Sequence, residues 1–128
     1  MNKKKILIVD DAIYMRAVLK DLLEKNGYEI IGMAKNGEMG VQMYEQLYIS
    51  GNKPDLVLMD ITMKKKNGIE ALKEIKQIDA MSKIVMVSSV GAKDSLVEAI
   101  QAGAKYFIKK PFEDDELLIT VKKAIASN

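Results

Sequence analysis

The stretch Asp55-Leu56-Val57-Leu58-Met59-Asp60 sets four apolar residues in a row between two carboxylates. So short and unbroken a run predicts a strand buried on both faces, since a half-exposed strand would alternate and a helix would be longer. Pro54 precedes it, and the turn pair Asn67-Gly68 follows a few residues later. Asp60 is therefore expected where a buried strand emerges at its C-terminal end. In an open α/β sheet that edge is where ligands bind. A carboxylate there is a candidate nucleophile if other strands bring polar groups to it.

Four more runs carry the same signature. Residues 5–10, Lys-Ile-Leu-Ile-Val-Asp, end in the pair Asp10-Asp11; Ile84-Val85-Met86-Val87 ends in Ser88-Ser89; Tyr106-Phe107-Ile108 ends in Lys109-Lys110 before Pro111. Glu29 to Ala34 is less apolar and is interrupted by Gly32, which suits an edge strand. Between the runs lie helical stripes: Met15, Val18, Leu19, Leu22 and Leu23; Met39, Met43, Leu47 and Tyr48; Ile69, Leu72 and Ile75; Leu96, Val97 and Ile100; Leu117, Val121 and Ile125. Asn26-Gly27 predicts a left-handed helix end. Asn67 with Glu70 predicts a capping box, Gly91 and Gly103 bracket the fourth helix, and the fifth begins near Glu113. Strand and helix alternate five times, which predicts a parallel sheet covered by helices on both sides. The expected architecture is one flavodoxin-like (βα)5 domain over residues 1–128, strand order 2-1-3-4-5, with no output domain.

Composition narrows the chemistry. The 128 residues are 48% hydrophobic and 30% charged, as in a globular domain, and the net charge of +2 gives no argument for nucleic acid. With no cysteine there is no disulfide or thiolate metal site, and with no histidine there is no serine–histidine or cysteine–histidine catalysis. The basic N-terminus is followed by too short an apolar run for a signal peptide, and no run reaches transmembrane length, so a cytoplasmic protein is expected. The nine methionines are expected to be core filler.

In the expected strand order, strands 1, 3, 4 and 5 are neighbours spaced about 4.8 Å apart. Their ends then bring together Asp10, Asp11, Asp60, Ser88 and Lys110. Three carboxylates on adjacent strands repel one another unless a cation binds among them. Oxygen donors without His or Cys suit Mg²⁺, with Mn²⁺ as an alternative. Asp60 could then attack phosphorus to give an aspartyl phosphate, with Lys110 and the Ser88 hydroxyl facing the phosphoryl oxygens. Taken singly these residues have plainer explanations: Asp10-Asp11 as a helix cap, Asp60 as a turn residue, Lys110 as a solvated loop lysine, Phe107 as strand packing. Their coincidence on four neighbouring strand ends favours a site.

Ile8-Val9-Asp10-Asp11, Met15-Arg16 with Leu19, residues 58–63 (Leu-Met-Asp-Ile-Thr-Met), residues 67–72 (Asn-Gly-Ile-Glu-Ala-Leu), Val87-Ser88-Ser89, Gly103-Ala104 and Lys110-Pro111-Phe112 occur in that order. On these motifs the chain resembles a response-regulator receiver domain, and within that family the single-domain chemotaxis regulators of the CheY type. The resemblance implies that Asp60 is the phosphoacceptor. It also implies Mg²⁺ ligation by Asp11, Asp60 and the Thr62 backbone carbonyl, with Asp10 acting largely through water. Ser88 becomes the switch hydroxyl, Lys110 the phosphate-contacting lysine and Phe107 the rotating aromatic. The implied donor is a phosphohistidine on a chemotaxis-type histidine kinase, and the implied target is a flagellar or archaellar motor switch protein or an adaptor to it. A monomer without nucleic-acid or membrane partners is expected. Lys93, Lys105, Tyr106, Lys109 and Lys122, with Lys123, form either a solvated face or a docking face for an acidic partner.

Two departures from the family pattern carry expectations. Lys64-Lys65-Lys66 stands where a proline often follows the Met63 position, which places positive charge near the mouth of the site. Faster reaction with anionic phosphodonors is expected, and replacing the three lysines by Ala should slow phosphorylation at low salt; unchanged kinetics would dismiss the effect. Thr62 and Val90 stand two residues beyond Asp60 and Ser88, and neither is an acid. A long-lived phosphoryl group is expected, and decay within seconds in Mg²⁺ buffer would contradict it. A phosphorelay intermediate is an alternative. An aspartate-nucleophile phosphohydrolase is less favoured because Thr62 stands where its second acid belongs. An FMN carrier is disfavoured because Asp10-Asp11 would repel the cofactor phosphate.

Overall fold

The computed structural model describes residues 2–63, 66–89 and 93–127. Five strands and five helices alternate: β1 Lys5–Val9, α1 Ile13–Lys25, β2 Glu29–Ala34, α2 Gly37–Ile49, β3 Leu56–Met59, α3 Gly68–Ile78, β4 Ile84–Ser88, α4 Lys93–Gln101, β5 Tyr106–Lys109 and α5 Asp114–Ala126. The sheet is parallel throughout, in the order β2-β1-β3-β4-β5. That is the expected flavodoxin-like architecture. The β1–β2 register shifts between Ile6 and Leu7, opposite the Ile30–Gly32 step where the sequence interrupts its apolar run.

The unbroken apolar runs follow from burial on both sides. Side chains alternate across a strand, so Leu7, Val9, Val57, Met59, Ile84 and Met86 face one layer while Ile6, Ile8, Leu56, Leu58, Val85 and Val87 face the other. The first layer is completed by Tyr44, Ile69, Leu72, Ile75 and Ala99 from α2, α3 and α4. The second is completed by Leu19 and Leu23 of α1 and by Leu117, Val121 and Ala124 of α5. Helix ends largely obey local rules. Gly27 closes α1 at φ 90°, where a glycine costs nothing that a side chain would cost. Asn67 Oδ1 accepts the Glu70 N–H at 3.0 Å, one half of the expected capping box.

Three helical stripes differ from expectation. In α2 the ring that enters the core is Tyr44, fully buried, while Tyr48 is exposed. The Tyr44 hydroxyl donates to Asp79 Oδ2 at 2.7 Å, and Lys53 Nζ reaches the same oxygen at 2.8 Å. Burial opposes ionisation of Asp79, but the bonds from Lys53, Tyr44 and the Met81 N–H outweigh it and hold the carboxyl below its ordinary value. A tyrosine can enter the core here because its hydroxyl finds a charged acceptor. In α4, Leu96, Val97 and Ile100 point outward, 39–45% exposed, and the small Ala99 makes the buried contact. Apolar spacing identifies a shared helix face but not what covers it. In α5, Ala124 is buried and Ile125 is only half-buried. Met59, Met63 and Met86 lie in the core, whereas Met81 is exposed.

Candidate functional site

The register of β1 against β3 pairs Val9 with Met59, so the chain leaves the sheet at Asp10 and Asp60 side by side. The Asp60 N–H donates to Val9 O at 2.9 Å, and the Asp10 N–H to Ala34 O at 3.0 Å, which fixes both exits. Asp10 is buried, Asp60 is 7% exposed, and Asp11 is exposed. One carboxylate oxygen from each of the three lies within 4.8 Å of the others. The acids are not used as a helix cap. Helix α1 starts on Ala12 with no side-chain cap bond, and Asp10 Oδ1 instead accepts the Ala12 N–H at 2.9 Å. Arg16, one turn into α1, donates to the Asp10 carbonyl at 2.7 Å and ties the helix to the strand end.

From the far end of the sheet comes Lys110. Its backbone N–H donates to Ser88 O at 3.0 Å, which anchors it on the end of β4. Its ammonium stands 2.6 Å from Asp10 Oδ2 and 3.7 Å from Asp60 Oδ2. Residues 100 positions apart therefore share one hydrogen bond, because β1 and β5 are parallel strands of one small sheet. A cationic amine between two buried carboxylates offsets part of their repulsion. Burial still dominates at Asp60 and pushes its carboxyl above the ordinary value. Lys110 pulls it down, Asp10 raises it, and hydrogen bonds from the Ser88 hydroxyl and the Thr62 N–H lower it.

The structure thus gathers Asp10, Asp11, Asp60, Ser88 and Lys110 at one cleft, with Thr62 on its rim. Phe107 is half-buried and packs against the core beneath α4. It pairs with Met86, and Ser88 lies two residues further along β4 on the same face, so hydroxyl and ring are diagonal neighbours one pleat apart. The lysine run divides: Lys66 pairs with Glu74 of α3, whereas Lys64 and Lys65, like Val90 and Gly91, lie outside the described residues. Tyr106, Lys109 and Lys122 are exposed, Lys105 is half-buried just before β5, and Lys93 is the first residue of α4.

Two glycines support the cleft in a way their sequence context does not announce. A Cβ on Gly68 would fall 1.9 Å from the Asp60 carbonyl oxygen, and one on Gly37 would fall 2.2 Å from the Lys66 carbonyl oxygen. The loop after Asp60 is therefore folded back so tightly that α3 begins against the backbone of the candidate nucleophile. The Gly68 N–H donates to Ile61 O at 2.8 Å and closes that loop.

Three carboxylates with one exposed member form a hard, all-oxygen donor set, which fits Mg²⁺ better than a softer transition metal. The site can hold a divalent cation, and Asp60 keeps an oxygen directed at the cleft beside a lysine and a hydroxyl.

Comparison with known proteins follows the same line. The family model described as "Response regulator receiver domain" matches residues 6–122. The chemotaxis protein CheY of Bacillus subtilis is 50% identical over 121 residues, covering 94% of this chain and 97% of that protein. CheY of Thermotoga maritima is 48% identical over 120 residues, covering 94% and 96%. Among solved structures, a CheX–CheY–BeF3–Mg²⁺ complex from Borrelia burgdorferi superposes with a TM-score of 0.90 at 32% identity, covering 97% of this chain and 90% of that one.

Proposed function

The chain belongs to the response-regulator receiver family, in its CheY-type chemotaxis branch, and on that premise we propose that Asp60 accepts a phosphoryl group from a chemotaxis-type histidine kinase. One observation carries the reading: carboxylates from β1 and β3 and the ammonium of Lys110 share one cleft at the sheet edge. In the transfer an Asp60 oxygen forms a bond to phosphorus as the bond from phosphorus to the kinase imidazole breaks. The electron pair leaves with the ring nitrogen.

Each neighbouring group has a task set by its position. Lys110 neutralises the charge of Asp10 and Asp60 before transfer and turns to the phosphoryl oxygens after it. The Ser88 hydroxyl, bonded to Asp60, is placed to exchange that bond for one to phosphorus-bound oxygen. Asp10, Asp11, Asp60 and the Thr62 carbonyl would hold Mg²⁺, which when bound supplies positive charge for the transferring group. Movement of Ser88 frees space on the face it shares with Phe107, and the ring turns inward. The protein signals through its own modification and turns over no external substrate.

The output face is formed by Leu96, Val97 and Ile100 of α4, Tyr106 of β5, and Ile119 and Lys122 of α5, all exposed. Apolar groups edged by Lys109 and Lys122 suit a partner that brings apolar side chains and acids. A motor switch protein or adaptor fits that description, and the Borrelia relative caught with CheX supports a protein partner. Among the described residues no helix is long and apolar enough to cross a membrane, and a cytoplasmic setting is proposed.

Metal dependence is separable from phosphorylation. Mg²⁺ should raise the melting temperature of the parent, by about 2.7 kcal/mol of stability when present at about 100 times its dissociation constant. Asp11→Ala, an exposed position, should fold like the parent and lose most of that gain. An equal Mg²⁺ shift in the variant would remove Asp11 from the ligand set.

A further inference from the structure

At the opposite edge of the sheet, the end of α3, the lead into β5 and the end of α5 enclose a cavity of about 310 Å³. Lys76, Ser82, Lys83, Lys105 and Ser127 line it, and no acidic side chain does among the described residues. The lysines are positioned by the fold. The stem of Lys76 lies across Gly103, where an added Cβ would stand 3.0 Å from its Cε, and its ammonium donates to the Ser82 carbonyl. Lys83 Nζ donates to Ile125 O at 2.6 Å. Carbonyl acceptors leave each ammonium charged and with further N–H donors to use. Burial, followed by repulsion from Lys105, holds the Lys76 amine below its ordinary value, and Asp79 offsets this only in part. Asp79 is itself committed to Lys53 and Tyr44. Among the described residues, the Ser82 hydroxyl is the buried side-chain polar atom without a hydrogen-bond partner.

We propose that this cavity is an anion site for a phosphate group, held between the Lys76 and Lys105 ammonium groups with the Ser82 hydroxyl as a third donor. Point-like ammonium donors arriving from separate elements suit a tetrahedral dianion, whereas a planar carboxylate is better matched by a guanidinium fork. The volume admits free phosphate or the phosphate end of a small ester. The site is independent of phosphotransfer at Asp60, which lies at the other edge of the sheet.

The test is an amide-shift titration of the whole protein in Mg²⁺-free buffer at constant ionic strength. Inorganic phosphate, glycerol phosphate and acetate are added in separate arms, with chloride as the balancing salt. Saturable shifts at Ser82, Lys83, Gly103 and Lys105 are expected with phosphate or its ester. Tighter binding of the ester would identify a phosphorylated metabolite as the ligand class, and equal binding would identify free phosphate. Lys105→Gln should weaken the affinity about tenfold or more, the effect of losing one charge-assisted hydrogen bond. Ser82→Ala should weaken binding while leaving the ligand-free protein at least as stable, since it removes an unpaired buried hydroxyl. Linear, non-saturating drift that acetate reproduces, or saturable shifts that survive in both variants, would overturn the site.

Discussion

Asp60→Asn should take up no phosphoryl group from acetyl phosphate in Mg²⁺ buffer, while the parent gains one by intact mass. The substitution keeps the shape of the side chain and removes the nucleophilic oxygen, so the loss should be complete. It should also make the protein melt at a higher temperature. Burial raises the Asp60 carboxyl above its ordinary value, ahead of the opposing pull of Lys110. The folded state then binds the proton more tightly than the unfolded chain. Stability from this group is present at acid pH and lost as the pH rises through the folded value. At neutral pH the ionised carboxylate weighs against folding, and the neutral amide does not. In metal-free buffer the variant should therefore exceed the parent in melting temperature at pH 7, with the gap narrowing as the pH falls toward 3.8. A variant that is phosphorylated would remove Asp60 from its role. A variant that melts lower at pH 7 would show that the bonds from Lys110 and Ser88 outweigh the cost of burying the charge.

Gly68→Ala should be the most damaging conservative change near the site. Its methyl group would stand 1.9 Å from the Asp60 carbonyl oxygen, far inside van der Waals contact, and the obstacle is backbone. Either α3 withdraws or the Asp60 peptide moves, at a cost of about 1–3 kcal/mol or more. Both outcomes disturb the candidate phosphoacceptor Asp60 and the Thr62 carbonyl that follows it. Denaturant unfolding should show the lost stability, and the rate of phosphorylation by acetyl phosphate should fall with it. Parent-like stability and kinetics would mean that the loop relaxes freely. Gly68 is not at positive φ, so the expected loss comes from the clash with backbone and not from strain of the alanine's own conformation.

Much of the fold could be read locally, and the reason is visible element by element. The run from Leu56 to Met59 is apolar at every position because both faces of β3 are covered. The helix ends at Gly27 and Asn67 are set by residues within one turn of them. What local pattern left open was the identity of the covering layer. The stripe Leu96, Val97, Ile100 has the same spacing as a core stripe, yet α4 meets the sheet through Ala99 and leaves that stripe in water. Likewise, Tyr44 and Tyr48 lie one turn apart on α2, and only the first has Asp79 within reach of its hydroxyl.

The candidate site divides in the same way. The order of residues along the chain was enough to set acids, a hydroxyl and a lysine at successive strand ends, since each follows directly on a strand that its own apolar run defines. Sequence also limited the chemistry, because a chain without histidine or cysteine has only oxygen donors and amines to offer. Tertiary structure alone decided that Lys110 would lie closest to Asp10, that burial would raise the Asp60 carboxyl above its ordinary value, and that Gly68 would press against the carbonyl of that same aspartate. Those are distances between groups far apart along the chain or on opposite sides of a loop. They are fixed by sheet register and by packing of the layers, which sum over the whole molecule and leave no mark on any single stretch of residues.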